Sequence, residues 1–412
     1  MTVLFQSENV LVRAVPCDDQ SRWVITFDNY SIGHGFDREG FAEGYLRDQG
    51  VSAIHVMGRR EDWYQYSEMP AALEAVREAI KNAERRITYG SSMGGYAALR
   101  FADAVGAKAA LALSPQYSIN PRLVPFEKRW LQDAERISWK PDGEPPLPQD
   151  ARAIVVFDPA SQDRLHVDLI ASEVAICAIP IRYSGHPSTS MLAELHILSP
   201  LLKDVLSGQD DPAVYRRLSR HRRAESVTYL TTLAAAVAER RPHVALSLAR
   251  RAAEVQPLHV GALQSLASNL HAAGQHDEAL AAYKKALELS GRNIVIVIPY
   301  ADMLSNIGRH EDALALAREV AARADAGLMA HVQAWYGFIA HQAGFVPEAI
   351  EAVRKAVALH PTEPKYRKLL KNYQFERSRV GRARAMLLRM RAKALHMLNR
   401  SLSLSRIMDT GT

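Results

Sequence analysis

The chain has 412 residues, 48% of them hydrophobic and 23% charged, with a net charge of +6 and two cysteines. That length exceeds one ordinary core and makes two domains the expectation, while the composition excludes a disordered or collagen-like chain. Two cysteines exclude a disulfide framework, and no apolar run reaches the ~20 residues needed to cross a bilayer.

The N-terminus shows neither a basic stretch nor a cleavage-site pattern, so the expected location is the cytoplasm. Residues 9–206 alternate short β-prone runs with helical stretches. The first strands are expected at Val10–Val15 and Trp23–Phe27. The loop behind the second reads Asp28-Asn29-Tyr30-Ser31-Ile32-Gly33-His34-Gly35. It must turn back over the sheet edge, which makes the Asn29 or Tyr30 amide a candidate anion donor. His34-Gly35 lies too far along the loop for that role.

A helix is expected over Arg38–Gln49, then a strand over Ala53–Met57. Trp63, Tyr64 and Tyr66 follow at the carboxyl edge of the sheet, where Trp63 and Tyr64 fit either a pocket wall or a loop staple. After a helix over Ala71–Glu84, the strand Ile87–Tyr89 breaks into Gly90-Ser91-Ser92-Met93-Gly94. Strand, tight turn and helix make this G-x-S-x-G a nucleophile elbow. Ser92 would sit in a strained turn, so residues two positions either side must lack a Cβ. The helix from Gly95 to Val105 would place the Met93 amide at its N-terminus, facing a developing oxyanion.

Ala109–Leu113 is the next strand, and Ser114-Pro115-Gln116-Tyr117 ends it at the same edge, with Gln116 a pocket candidate. Residues 119–150 hold six prolines (121, 125, 141, 145, 146 and 148), which favour a semi-rigid cover carrying Phe126, Trp130 and Trp139. Ala153–Phe157 runs into Asp158-Pro-Ala-Ser-Gln-Asp163, which supplies two candidate acids. Asp163 leaves room for a turn towards a histidine. Asp158 is the alternative, although an Asx-Pro turn suits it better. The last strand, Ala175–Tyr183, leads to Ser184-Gly185-His186-Pro187, where His186 is the candidate base. His166 competes with it but falls on an expected helix. Cys177 is expected to be a buried small hydrophobe.

Residues 225–375 are helical in pattern and repetitive. Gly274-Gln-His-Asp-Glu-Ala279-Leu280 recurs at Gly308 to Leu314 and again at Gly344 to Ile350. Ala279 and Ala313 lie 34 residues apart, Ala313 and Ala349 lie 36 apart, and a weaker copy at Pro242 to Leu246 keeps the 34-residue step. Beyond them, residues 377–408 carry nine Lys or Arg and no acid. Leu388, Ala392, Leu395, Leu398 and Leu402 form an apolar stripe there. Such a basic amphipathic helix fits a cap on the repeat array, or peripheral contact with an anionic membrane surface. Nucleic-acid binding has no motif behind it beyond charge.

Gly90–Gly94, Asp163 and His186, in that chain order, resemble the α/β-hydrolase superfamily over roughly residues 9–206. The 34-residue period resembles the tetratricopeptide repeat. The expected architecture is therefore α/β, with a mostly parallel sheet covered on both faces over 1–208. An all-α repeat region over 225–375 and a basic tail over 376–412 follow. The first resemblance implies a serine hydrolase of esterase or acyl-transfer type acting on a small acyl substrate. Ser92 would be the nucleophile, His186 the base, and Asp163 or Asp158 the orienting acid, with no metal or other cofactor. A clear His-Gly oxyanion motif and the usual turn before the acid are both missing. The second resemblance implies a protein or peptide partner. Two other readings keep the same residues: a scaffold with a vestigial hydrolase fold, and a peptidase.

Overall fold

A computed structural model describes residues 1–30, 32–139, 143–324 and 329–378. The chain divides into two compact units, Met1–Pro257 and Leu258 onward. The basic stretch expected beyond Ser378 lies outside the described residues.

In the first unit eight strands form one sheet: β1 Thr2–Gln6, β2 Val10–Val15, β3 Arg22–Phe27, β4 Ala53–Gly58, β5 Arg85–Ser91, β6 Ala109–Leu113, β7 Arg152–Phe157 and β8 Ile176–Pro180. Their spatial order is β1-β2-β4-β3-β5-β6-β7-β8. The sheet is mixed, because β1 and β2 join antiparallel while every pair from β4 to β8 is parallel. The central strands β4 to β7 are buried almost throughout, as near-continuous Val, Ile and Ala runs require when both faces are covered. The edge strand β8 is only half-buried. Cys177 is half-buried with it and accepts a hydrogen bond from Arg152, so it is not the buried hydrophobe expected.

Among the described residues ten α-helices accompany the sheet: α1 Glu43–Asp48, α2 Met69–Ala79, α3 Met93–Arg100, α4 Leu131–Arg136, α5 Asp163–Glu173, α6 Thr189–Glu194, α7 Leu198–Ser207, α8 Pro212–Arg222, α9 Val227–Val237 and α10 Pro242–Val255. Both α3 and α7 pack across β3, β5 and β6, and so cover opposite faces of the sheet centre. The helix expected from Arg38 starts only at Glu43. Residues before it are held as a loop: Arg38 pairs with buried Asp28 at 2.7 Å, and Gly40 lies so close to His55 that a Cβ would come within 2.5 Å of it.

Helices α9 and α10, grouped by sequence with the repeats, cluster instead with the sheet. The Glu194 carboxylate at the end of α6 accepts from the Ser226 hydroxyl and from both the amide and hydroxyl of Thr228, which fixes the start of α9.

Among its described residues the second unit is helical, with no strand: α11 Val260–Ala272, α12 His276–Leu289, α13 Ile294–Asn306, α14 His310–Arg323, α15 Met329–Gln342, α16 Val346–Leu359 and α17 Pro364–Arg377. Successive helices pack as pairs, α11 with α12, α13 with α14 and α15 with α16. The repeated alanines Ala279, Ala313 and Ala349 are fully buried at the pair interfaces. Gly274, Gly308 and Gly344 end the first helix of each pair at φ of +76°, +85° and +85°, a left-handed turn that glycine adopts without strain.

Candidate active site

Every sequence-derived candidate in the first unit lies behind a carboxyl end of the parallel strands. Asn29 and Tyr30 follow β3, Ser92 follows β5, Gln116 follows β6, Asp158 and Asp163 follow β7, and His186 follows β8. Chain connections leave β3 and β5 towards opposite sides of the sheet, so a crevice opens there.

The elbow is built by close approach. Ser92 takes φ 55° and ψ −118°, a strained conformation for a residue with a side chain. A Cβ on Gly90 would lie 2.1 Å from the Gly94 carbonyl oxygen, and one on Gly94 would lie 2.4 Å from that of Phe27. The first turn of α3 is thereby pressed against the end of β3. The Ser92 amide donates to Leu113 O at 2.8 Å and ties the turn to β6.

Ser92 Oγ lies 2.9 Å from His186 Nε2, and His186 Nδ1 lies 2.8 Å from Asp163 Oδ2. The tautomer that satisfies both contacts carries its proton on Nδ1 and donates it to Asp163, leaving Nε2 to accept from the serine hydroxyl. Asp163 is fully buried at the first position of α5. Burial alone would raise its pKa, but hydrogen bonds and charges from His186 and Arg129 outweigh that and hold it below the usual carboxylate range. The other oxygen, Oδ1, meets Arg129 Nη1 at 2.9 Å.

The second candidate acid does different work. Asp158 accepts the amides of Ala160, Tyr183 and Gly185, so it shapes the loop that carries His186 and does not face its ring. His166 is committed elsewhere too: its Nδ1 accepts the Tyr117 amide at 3.2 Å while Nε2 lies 2.9 Å from Glu127. A chain of Ser114, Ser188 and Ser184 hydroxyls ties the far side of the His186 loop to the end of β6.

Trp130 roofs the site, its ring 5.4 Å from His186 and 5.5 Å from Trp63. Tyr30 closes the aromatic cluster, 5.6 Å from Trp63. Of the cover residues, Phe126 packs instead against His166, the rings tilted by 60°, and Trp139 donates to the Ala134 carbonyl behind α4. Tyr64 corrects the pocket expectation. It is buried away from the roof, donating to Val56 O and accepting from the Asp28 amide, and so staples the loop after β4 onto the sheet. Gln116 lies beside Ser92, with Nε2 3.4 Å from Ser92 Oγ. Among the described residues, the amides of Met93, Asn29 and Tyr30 donate to nothing.

Sequence reasoning missed Arg129 and Glu127. Arg129 donates from Nε to both Glu127 oxygens and from Nη2 to Oε2, reaches Asp163, and lies over the Trp130 ring at 4.3 Å. The available signal was an acid-base-aromatic run, Glu127-Lys-Arg129-Trp130, inside a proline-rich cover. Among the described residues no cluster of His, Cys, Asp and Glu is gathered that could hold a metal ion.

The family described as Tetratrico peptide repeat matches residues 261–376, which spans α11 to α17. The second unit therefore carries a tetratricopeptide-type repeat domain, a class that suits protein–protein interaction. No curated protein matches the chain. Among solved structures, pilF of Pseudomonas aeruginosa is 21% identical, covers 37% of this chain and 69% of its own, with a TM-score of 0.33. MamA from Desulfovibrio magneticus is 22% identical over 42% of this chain and 96% of its own, at 0.31. YrrB, titled a TPR protein with an unusual peptide-binding site, is 15% identical over 44% and 90%, at 0.33. No helix among the described residues is long and apolar enough to cross a membrane.

Proposed function

We propose that this chain is a serine hydrolase of esterase or acyl-transfer type, of the α/β-hydrolase superfamily, whose repeats dock a protein or peptide partner. The observation that carries the chemistry is the unbroken contact from Ser92 Oγ through the His186 imidazole to a buried, ionised Asp163.

Ser92 Oγ attacks the carbonyl carbon of a small acyl compound while its proton passes to His186 Nε2. The resulting imidazolium is stabilised by Asp163, which stays ionised. Charge that builds on the substrate oxygen is met by the free amide of Met93 with that of Asn29 or Tyr30. Collapse expels the leaving group, which takes the proton from His186, and leaves the acyl group on Ser92. Water or a second nucleophile then repeats the steps in reverse. The protein needs no metal or other cofactor for this sequence.

A fluorophosphonate probe should label the intact protein, and Ser92→Ala should abolish labelling. A folded protein that resists the probe would remove the enzyme reading.

The repeat-family match favours a second reading, in which the first unit is a vestigial hydrolase and the repeats do the work. Equal capture of a partner by wild type and Ser92→Ala, with no turnover of p-nitrophenyl esters, would select it. Peptidase activity shares the same residues and is separated by testing peptides beside those esters.

A further inference from the structure

The side-chain amide of Gln116 is buried at 1% exposure beside the nucleophile, and only one of its arms is satisfied. Its Nε2 lies 3.3 Å from the Ser114 carbonyl oxygen and 3.4 Å from Ser92 Oγ. A carbonyl oxygen can only accept, so the NH2 arm must point towards Ser114, and a flipped amide would set oxygen against oxygen. The opposite arm, Oε1, is buried and accepts a hydrogen bond from no described residue. A buried acceptor left unpaired is uncommon in a folded chain, and the amide that carries this one donates from its other arm towards Ser92 Oγ. The Ser114 and Ser188 hydroxyls are already committed, since they pair with each other and Ser114 Oγ also accepts the Ser188 amide.

Resting on the serine hydrolase reading, we infer that Gln116 Oε1 accepts a hydrogen bond from the substrate, so the preferred substrates carry an O–H or N–H donor next to the scissile ester. The donor stands within one or two bonds of the reacting carbonyl on the acyl side, or on the alcohol directly beyond the ester oxygen. A hydroxyacyl ester, or a polyol ester with a free neighbouring hydroxyl, has this chemistry, and a plain alkyl ester does not. Selection follows from the same imbalance. A substrate without the donor leaves Oε1 buried and unpaired in the complex, and sites built to pair a substrate hydroxyl discriminate strongly against analogues that lack it.

The test compares shape-matched p-nitrophenyl esters, lactate against isobutyrate, and then ethyl against 2-hydroxyethyl esters of one acid, with the full-length protein. The expected result is a kcat/KM at least roughly tenfold higher for the donor-bearing member of one pair. In Gln116→Met, which keeps the length and loses the acceptor, that ratio should fall to near one. The ratio within each protein is read, so a general loss of folding or activity does not mimic the result. Fluorophosphonate labelling of Ser92 in the wild type is scored alongside. Labelling with no preference in either pair, or a preference that survives in Gln116→Met, overturns the Gln116 inference alone. A folded wild type that is not labelled overturns the hydrolase reading and this inference with it.

Discussion

Asp158 Oδ2 accepts the backbone N–H of Gly185 at 3.0 Å, one residue before His186. The two aspartates behind β7 therefore divide the work: Asp158 sets where the His186 loop lies, and Asp163 contacts the ring that the loop presents. Asp163→Asn should leave the fold intact and lower kcat by roughly 10⁴-fold, because an amide NH2 facing Nδ1 selects the wrong imidazole tautomer. Asp158→Ala strands three amides and should lower stability by about 3 kcal/mol or more, while its residual activity at low temperature exceeds that of Asp163→Asn. Thermal melts and ester kinetics on both variants check this. A larger kcat loss in Asp158→Ala than in Asp163→Asn, with both folded, would reverse the assignment.

Glu127 carries the clearest pH signature near the site. Burial alone would raise its pKa, but hydrogen bonds from His166 and Arg129 overcome that and hold it at about 2 against an ordinary 4.5. A depressed carboxylate contributes stability that is complete above the unfolded value and is lost as pH falls through the folded one. The window is therefore about pH 4.5 down to about 2. Between about pH 5 and about pH 2.5 the wild type should lose up to about 3 kcal/mol through this group, and Glu127→Gln should lack that loss. Urea unfolding of both proteins at the two pH values measures it. Equal pH dependence in the two would show that the His166–Glu127–Arg129 contacts do not stabilise the fold.

The elbow glycines make a sharper steric claim. A Cβ at Gly94 would meet the Phe27 and Asp28 carbonyl oxygens at 2.4 and 3.0 Å, both of them backbone. Gly94→Ala should cost about 3 kcal/mol or more and displace Ser92 from His186, so labelling is lost even in molecules that fold. Gly274→Ala is the control: its φ is +76° but open space surrounds it, so strain of about 1 kcal/mol is expected. Differential scanning calorimetry ranks the pair, and a milder effect at Gly94 would contradict the tight approach of α3 to β3.

Much of this was legible in the chain. Apolar runs marked β2 and β6 to the residue: β6 is apolar throughout, as a strand covered on both faces must be, and β2 is apolar but for Arg13. The motif at residues 90–94 located the serine, and chain order pointed to His186. What failed to show was what depends on distant partners. β1 is a largely exposed edge strand with a register shift, so its residues carry no burial pattern to detect. The stretch before α1 reads as helix, yet Arg38 is taken by Asp28 from another loop. Tyr64 could be placed at the site's edge, but which way its ring turned depended on an amide at Asp28. Arg129 reaches Asp163, 34 positions further along the chain, and spacing within the cover gives no sign of it.

In the second unit, Gly337 sets two principles against each other. It lies inside α15, where replacing glycine with alanine ordinarily gains about 1 kcal/mol of helix stability. A Cβ there would come 2.5 Å from Val353 Cγ2 and 3.0 Å from the Ala349 carbonyl oxygen on α16. Val353 is fully buried and β-branched, so it cannot swing aside, and the Ala349 contact is backbone. The two helices would have to separate, which costs about 1–3 kcal/mol in a packed interface and outweighs the gain. Gly337→Ala should therefore lower the melting temperature. Adding Val353→Ala removes the closer of the two clashes, so the double variant should be more stable than the two single losses sum to, with a coupling of about 1 kcal/mol. A Gly337→Ala protein more stable than wild type would mean that α15 and α16 do not approach this closely, and that the repeat interface is looser than its buried alanines require.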